Sequence, residues 1–293
     1  MRIRLAPLSI GALAAFNCLA GAATLAPDDP SVSASLGLWL TDARNNFDGS
    51  TWNDSSGNGN HAVPVGTVGA GPTYVAPSLD LVTTTIDHNT SSVAFSGSAD
   101  DLIRASGVNG GTGTNQVTIF AAYVVEAFGG NPNLTRPAGF GSIAGTQLNP
   151  GDHLNLASDP SVRKDNGQIG SGNYSEAFPL GSSFVRVARM DAAGIDEWFN
   201  SSISLNSVLT DFGAQYTTSN DDFYLGDLRA GPTAVLGSTS TSDFSISQII
   251  VYNSALTDEQ IAGINEWMLT PIPEPGSTAL LGLATLGLLR RRR

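Results

Sequence analysis

IIVYNSALTDEQIAGINEWM, Ile249 to Met268, joins a strand-like apolar run to the one well-marked helix of the chain. The run reaches back to Phe244 and ends at Tyr252; the helix opens at Thr257, which can cap the first turn while Gln260 returns the bond, a capping box in TDEQ. Ile261, Ile264 and Met268 then fall on one helical face, and Pro271 stops the helix. Upstream there is no long helical periodicity. Short strand-like runs recur instead, at Leu36 to Leu40, Ser92 to Phe95, Gln116 to Val125, Ser183 to Met190, Ile195 to Phe199 and Asp222 to Leu225, separated by Gly, Asn, Asp and Pro clusters. Asp165-Asn166-Gly167 offers a tight hairpin turn between Val162 and Ile169. The pattern predicts an all-β domain closed by a short C-terminal helix that packs on a β-sandwich. In SFVRVARM, Phe184, Arg186, Ala188 and Met190 alternate with Val185, Val187 and Arg189, so neither face is cleanly apolar; Arg stems can cover apolar surface.

Composition agrees. Of 293 residues, 41% are apolar, enough for a globular core, and only 14% are charged, against roughly a quarter in an ordinary soluble domain. With 33 Gly and 15 Pro, strands and turns are favoured over helical bundles. The stretch from Thr24 to Ile272 holds 8 basic and 25 acidic residues, a formal charge of −17, which excludes sequence-independent binding to nucleic acid phosphates. The single cysteine, Cys18, lies near the N-terminus, so the body has no disulfide, thiolate metal site or cysteine nucleophile.

Both ends read as addresses. Residues 1–23 have the charged start (Arg2, Arg4), apolar stretch (Leu5 to Leu19) and small residues (Ala20-Gly21-Ala22) of a signal peptide for signal peptidase. Ala15-Phe16-Asn17 ahead of Cys18 does not suit lipid attachment. At the other end, fourteen uncharged, mostly apolar residues, Gly276 to Leu289, precede four arginines. As a helix the run would be about 21 Å long, a marginal transmembrane span against a hydrocarbon core of about 30 Å, with the arginines held in the cytoplasm.

Pro273-Glu274-Pro275, the short apolar segment and the cluster Arg290, Arg291, Arg292 and Arg293 resemble the PEP-CTERM sorting signal. That resemblance implies a Gram-negative bacterium whose exosortase recognises residues 271–293, removes the tail, and leaves the protein at the cell surface or in the exopolysaccharide matrix. The precursor would be tethered to the membrane through the tail.

The body, residues 24–270, is read as one domain. WNDSSGNGNHA (Trp52 to Ala62), GPTYV (Gly71 to Val75), VAFSGSADDLI (Val93 to Ile103), TIFAAYVV (Thr118 to Val125) and the closing Ile249 to Met268 block stand in the order seen in LamG-like, concanavalin A-like lectin/glucanase domains. This similarity implies a jelly-roll sandwich of two antiparallel sheets, a fold used for sugar binding, adhesion and, in some branches, glycan hydrolysis.

Glucanases on this fold carry E-x-D-x-x-E on one strand, which puts alternate carboxylates on one face. None of Glu126, Glu176, Glu197, Glu259 or Glu266 begins such a run. Asp196-Glu197 and Asp221-Asp222 are adjacent pairs that point to opposite faces in a strand and read as surface charge. There is no GxSxG elbow, His61, His88 and His153 are isolated, and GVNGGTGTN lacks the lysine of a phosphate loop. The chain is therefore expected not to be an enzyme.

DSSGNG supplies side-chain oxygens from Asp54, Ser56 and Asn58 at alternate positions before Gly59, like the first half of an EF-hand loop, while position 12 is Val65 instead of Glu. Two readings stand: a turn in which Asp54 binds its own backbone, and a calcium loop of the sort the resemblance implies. Aromatics in polar stretches, Trp52, Tyr74, Tyr174, Trp198 and Tyr216, are candidates for stacking on a sugar, with packing as the competing role; Trp39 and Trp267 sit in apolar settings and are assigned to the core. The expectation is a secreted domain that binds glycan or matrix components without catalysis. A structural matrix protein without a specific ligand and a divergent glycoside hydrolase are the alternatives.

Overall fold

The computed structural model describes residues 24–64, 73–75, 92–95, 103–108, 116–127, 138–140, 143–144, 147–148, 154–156, 161–164, 167–171, 183–191, 194–199, 202–207, 222–226 and 243–269. In chain order the strands are β1 (Leu36–Leu40), β2 (Ala62–Pro64), β3 (Thr73–Val75), β4 (Ser92–Phe95), β5 (Ile103–Ala105), β6 (Val117–Ala127), β7 (Ala138–Phe140), β8 (Ile143–Ala144), β9 (Gln147–Leu148), β10 (Leu154–Leu156), β11 (Ser161–Lys164), β12 (Gly167–Ser171), β13 (Ser183–Asp191), β14 (Gly194–Phe199), β15 (Ser202–Ser207), β16 (Phe223–Leu225) and β17 (Asp243–Tyr252). Two helices join them, α1 (Ala43–Asn46) and α2 (Asp258–Leu269).

Two antiparallel sheets carry the fold. One has eight strands in the order β15-β14-β13-β6-β17-β4-β3, with β1 also paired to β17; the other has seven in the order β12-β11-β10-β7-β16-β5-β2. The long strand β17 runs beside β6 on one side, and on the other gives its first half to β4 and its second half to β1. β11 and β12 pair antiparallel with Lys164 opposite Gly167, so the predicted hairpin forms; Asp165 and Asn166 lie outside the described residues.

Period-two alternation sorts the eight-stranded sheet. Val117, Ile119, Ala121 and Tyr123 of β6 share one face with Ile249 and Val251 of β17 and Leu38 and Leu40 of β1, all buried. On the seven-stranded sheet Phe140, Phe223, Ala105 and Ala62 line up across four strands, and the Phe140 and Phe223 rings meet edge to face at 5.1 Å. These faces form one apolar core. The opposite face of the eight-stranded sheet is covered by α2. Trp39 meets Trp267 of that helix with ring centroids 5.9 Å apart, both rings packed on the core as expected.

The capping box forms as predicted: Thr257 N–H donates to Gln260 Oε1 at 2.9 Å, and Gln260 N–H donates to Thr257 Oγ1 at 3.3 Å. Ile261, Ile264 and Met268 are all buried. Among the described residues no helix is long and apolar enough to cross a membrane, and the tail itself lies outside them.

Candidate functional site

Three groups of charged side chains on or beside the described strands have different surroundings. The first is inside the sandwich. Arg186 of β13 and Glu197 of β14 form an ion pair with both side chains wholly buried, and Arg186 Nη1 also donates to the Tyr123 hydroxyl at 3.4 Å. Burial works against the charge on Arg186, but Glu197 and then Tyr123 outweigh it and raise its pKa above the ordinary arginine value. The surface reading of Glu197 is thus corrected, because its strand neighbour Asp196 takes the outward position and Glu197 the inward one.

The second group joins helix to sheet. Arg189 binds Asp196, Asp258 at the start of α2, and the Leu256 carbonyl at 2.9 Å. Its guanidinium lies over the Trp198 ring, 4.9 Å from the centroid. Trp198 is consequently buried, and its candidacy as a sugar platform is withdrawn.

The third group is the candidate site. Cα register runs Val63, Arg104, Tyr224, Gly139, Asn155 across β2, β5, β16, β7 and β10, a row on the side of the seven-stranded sheet away from the core. The alternation that buries Ile103, Ala105, Phe223 and Leu225 puts Arg104 and Tyr224 there. Arg104 Nη1 lies 3.4 Å from Asp222 Oδ2, which also accepts from the Tyr224 hydroxyl at 3.3 Å. The Arg104 side chain is 41% exposed and that of Asp222 21%. Arg104 Nε is shielded from solvent with no hydrogen-bond partner among the described residues. Burial, then the Asp222 charge, pushes the Tyr224 phenol up to about 12, with Arg104 opposing. Gly139 adds no side chain beside Tyr224, and Val63 at the end of the row is the exposed large apolar residue of the described chain. The cluster offers donors, a carboxylate and an adjoining apolar surface, the mixture that hydroxyl-rich ligands need.

Sequence reasoning missed this trio. Asp222 was visible as an acid and Leu225 as the end of a strand, but Arg104 and Tyr224 are 120 positions apart, and only the β5–β16 pairing makes them neighbours.

The other sequence candidates are placed as follows. Trp52 is fully buried, pairs through its backbone with Ala62, and donates from Nε1 to the Thr41 carbonyl at 3.1 Å, so its stacking role is corrected to a core role: no ring face is left for a sugar. Tyr74 belongs to β3, where only the backbone is described; Tyr174 and Tyr216 lie outside the described residues, as do Pro273, Glu274, Pro275 and Arg290 to Arg293. The DSSGNG loop is tied to β1. Asp54 Oδ1 accepts from Trp39 N–H at 3.0 Å and Ser56 N–H at 2.9 Å, and Oδ2 accepts from Ser56 Oγ at 2.7 Å and Asn60 N–H at 3.0 Å. Asn58 Nδ2 donates to the Leu36 carbonyl at 2.7 Å, and His61 Nδ1 accepts Asp54 N–H at 3.0 Å. Gly57 and Gly59 take positive φ of 87° and 75°, as the turn reading requires. Among the described residues no group of three His, Cys, Asp or Glu side chains gathers as a metal site.

The jelly-roll-like fold defined by these sheets is similar to that of several solved structures. Domain 4 of the GH43 extracellular arabinanase AbnA from Geobacillus stearothermophilus, solved with arabinotriose, superposes with a TM-score of 0.51 at 17% identity, over 79% of this chain and 98% of that one. The Trypanosoma rangeli sialidase complex with 2,3-difluorosialic acid gives 0.52 at 15% identity, over 79% of this chain. Botulinum neurotoxin type C, whose cell entry depends on interaction with two ganglioside molecules, gives 0.52 at 12% identity, over 81% of this chain. The chain spans about a third of the sialidase and half of the toxin chain (33% and 52%). No curated protein matches the sequence.

Residues 271–293 match the PEP-CTERM protein-sorting motif. The motif implies export and exosortase processing to a surface or extracellular location in a Gram-negative bacterium. The expectation that the chain is not an enzyme is overturned by the structural neighbours: a sialidase and a domain of an arabinanase share this fold.

Proposed function

We propose that the body is a LamG-like domain that binds carbohydrate on the outer side of its seven-stranded sheet, in a protein sorted to the cell surface or exopolysaccharide matrix. The observation that carries the reading is the partly exposed Arg104–Asp222 pair, set over the buried Tyr224 phenol. A sugar diol placed there would accept from the Arg104 guanidinium and donate to Asp222. The resemblance to an arabinanase domain of the same extent, bound to arabinotriose, supports it.

The test is a glycan array that includes arabino-oligosaccharides and bacterial exopolysaccharides, read for retention and, in parallel, for release of reducing sugar. Specific retention lost in Arg104→Ala and Asp222→Ala, with melting unchanged, upholds the site. Silence throughout would leave a structural matrix protein, and reducing-sugar release would extend the site to turnover. Calcium at Asp54, Ser56 and Asn58 is a separate proposal. Ser56 Oγ lies 2.7 Å from Asp54 Oδ2, and a bound ion would have to share the Asp54 contacts with β1, so a melting temperature unmoved between millimolar calcium and chelator retires it.

A further inference from the structure

Both ends of the described body converge on α2. Leu25 N–H donates to the Gly263 carbonyl at 3.0 Å, the Tyr252 hydroxyl donates to the Pro27 carbonyl at 3.0 Å, and Gln260 Nε2 donates to the Ser31 carbonyl at 3.1 Å. Val32 ends this strap in the core. Residues 25–32 therefore lie against α2, on the side of the eight-stranded sheet that the helix covers. Gly263 precedes the helix end at Leu269 by about 9 Å of axial rise. From Leu269 to Gly276, where the apolar run of the tail begins, the chain can reach at most about 25 Å.

We infer that the end of the domain bearing α2 and the 25–32 strap faces the membrane surface while the tail is anchored, and that the Arg104–Asp222–Tyr224 side is turned outward. This orientation rests on the reading of residues 271–293 as a membrane-anchored sorting tail. The short connection keeps the helix near the lipid. The candidate site is on the far side of two sheets, which stack about 10 Å apart, so it stands further out by at least that spacing. Asp258, Glu259 and Glu266 are exposed on α2, which has no basic residue, so the helix faces an anionic surface across water and does not sink into it.

Because the body has no cysteine, single labels are simple to place. The full chain carrying Cys18→Ser and either Ala262→Cys, exposed on α2, or Val63→Cys, exposed at the outer row, is labelled with a donor fluorophore. It is reconstituted in phosphatidylethanolamine/phosphatidylglycerol vesicles whose headgroups carry an acceptor. Energy transfer from position 262 should exceed that from position 63 at least twofold. Equal or reversed transfer from chain that floats with the vesicles overturns the orientation and leaves the anchor reading standing. Failure of the full chain to float better than chain ending at Thr270 overturns the anchor reading, and the orientation with it.

Discussion

Replacing Glu197 by Gln tests the energetic reading of the interior. The substitution keeps the side chain's size, so it opens no cavity, but it leaves the Arg186 guanidinium charged and wholly buried with its counter-charge gone. Breaking one partner of a buried pair costs roughly 3–5 kcal/mol, because the remaining buried charge loses its counter-charge. For a domain of this size each kcal/mol shifts the melting temperature by about 2–4 °C, so a fall of roughly 6–20 °C is expected. The double variant Arg186→Met/Glu197→Leu removes both charges and both desolvation penalties. It should return to within about 2 kcal/mol of the parent, or exceed it, less about 1 kcal/mol for the hydrogen bond that the Tyr123 hydroxyl no longer accepts. Urea unfolding followed by tryptophan fluorescence reads all three proteins, and the coupling energy follows from the cycle. If Glu197→Gln loses less than about 1 kcal/mol, or the double variant is as weak as the single losses summed, water or another charge reaches the pair and the account of the core is wrong.

Other perturbations have equally definite outcomes. Gly37→Ala places a Cβ 2.3 Å from the Val108 carbonyl oxygen and 2.6 Å from Asn253 Nδ2 at the bulge in β1, and since the first of these is backbone, a loss of about 1–3 kcal/mol is expected in urea unfolding. Asp54→Ala strips the acceptor from four donors and should cost about 2–4 kcal/mol, whereas Asp54→Asn, which keeps one oxygen, should cost visibly less. Trp52→Ala should lower stability by about 3–5 kcal/mol, so any glycan binding it abolishes must be checked against circular dichroism before Trp52 is credited with touching a ligand. At alkaline pH, burial holds the Tyr224 phenol up to about 12 and that of Tyr252 higher still, helped at Tyr252 by Asp28 and Asp29. Unfolded tyrosine ionises near 10, so this stabilisation is intact below about pH 10 and is lost as pH climbs through the folded values; Tyr252→Phe should flatten the decline in melting temperature above pH 10.

The eight-stranded sheet and its helix were legible because their strands are long. Leu36–Leu40, Ser92–Phe95 and the core of Val117–Ala127, Ser183–Asp191 and Asp243–Tyr252 each give the apolar run or alternation that marks a strand, and the TDEQ box marks the helix start. The seven-stranded sheet was largely hidden. β16 was read at Asp222 to Leu225, but β2, β5, β7 and β10 are three residues each, too short for a period of two to show, and they are assembled by pairings such as Ala62 with Ala105 and Phe223 with Phe140. The candidate site is built on that hidden sheet, which is why its residues went unread while the aromatics in polar stretches drew attention. Trp52 shows the reason those polar stretches misled: Asp54, Asn58 and Asn60 spend their side chains on the loop and on β1, so the polarity around the indole belongs to a turn that seals it in.

The mixed faces of SFVRVARM have a local explanation that one hairpin supplies. In the β13–β14 pair Arg189 is opposite Asp196 and Ala188 opposite Glu197, so the acids of the adjacent pair Asp196-Glu197 fall on the two faces on which Arg189 and Arg186 lie. Each arginine meets an acid on its own face: Arg189 under the helix, Arg186 in the core. The register needed for this is short-range, running back from Asp191 opposite Gly194, and so the pairing was within reach of the sequence once the hairpin was assumed. Its consequence bears on function. Glu197 and Asp196, two of the carboxylates that a search for sugar chemistry must weigh, are committed to holding the sheet and helix together, whereas Asp222 keeps a partly exposed side chain beside the partly exposed Arg104, with the Tyr224 phenol buried beneath them. Among the described residues, Asp222 is therefore the acid at which the proposed carbohydrate binding is tested, on a sheet most of whose strands are too short to be read from the sequence.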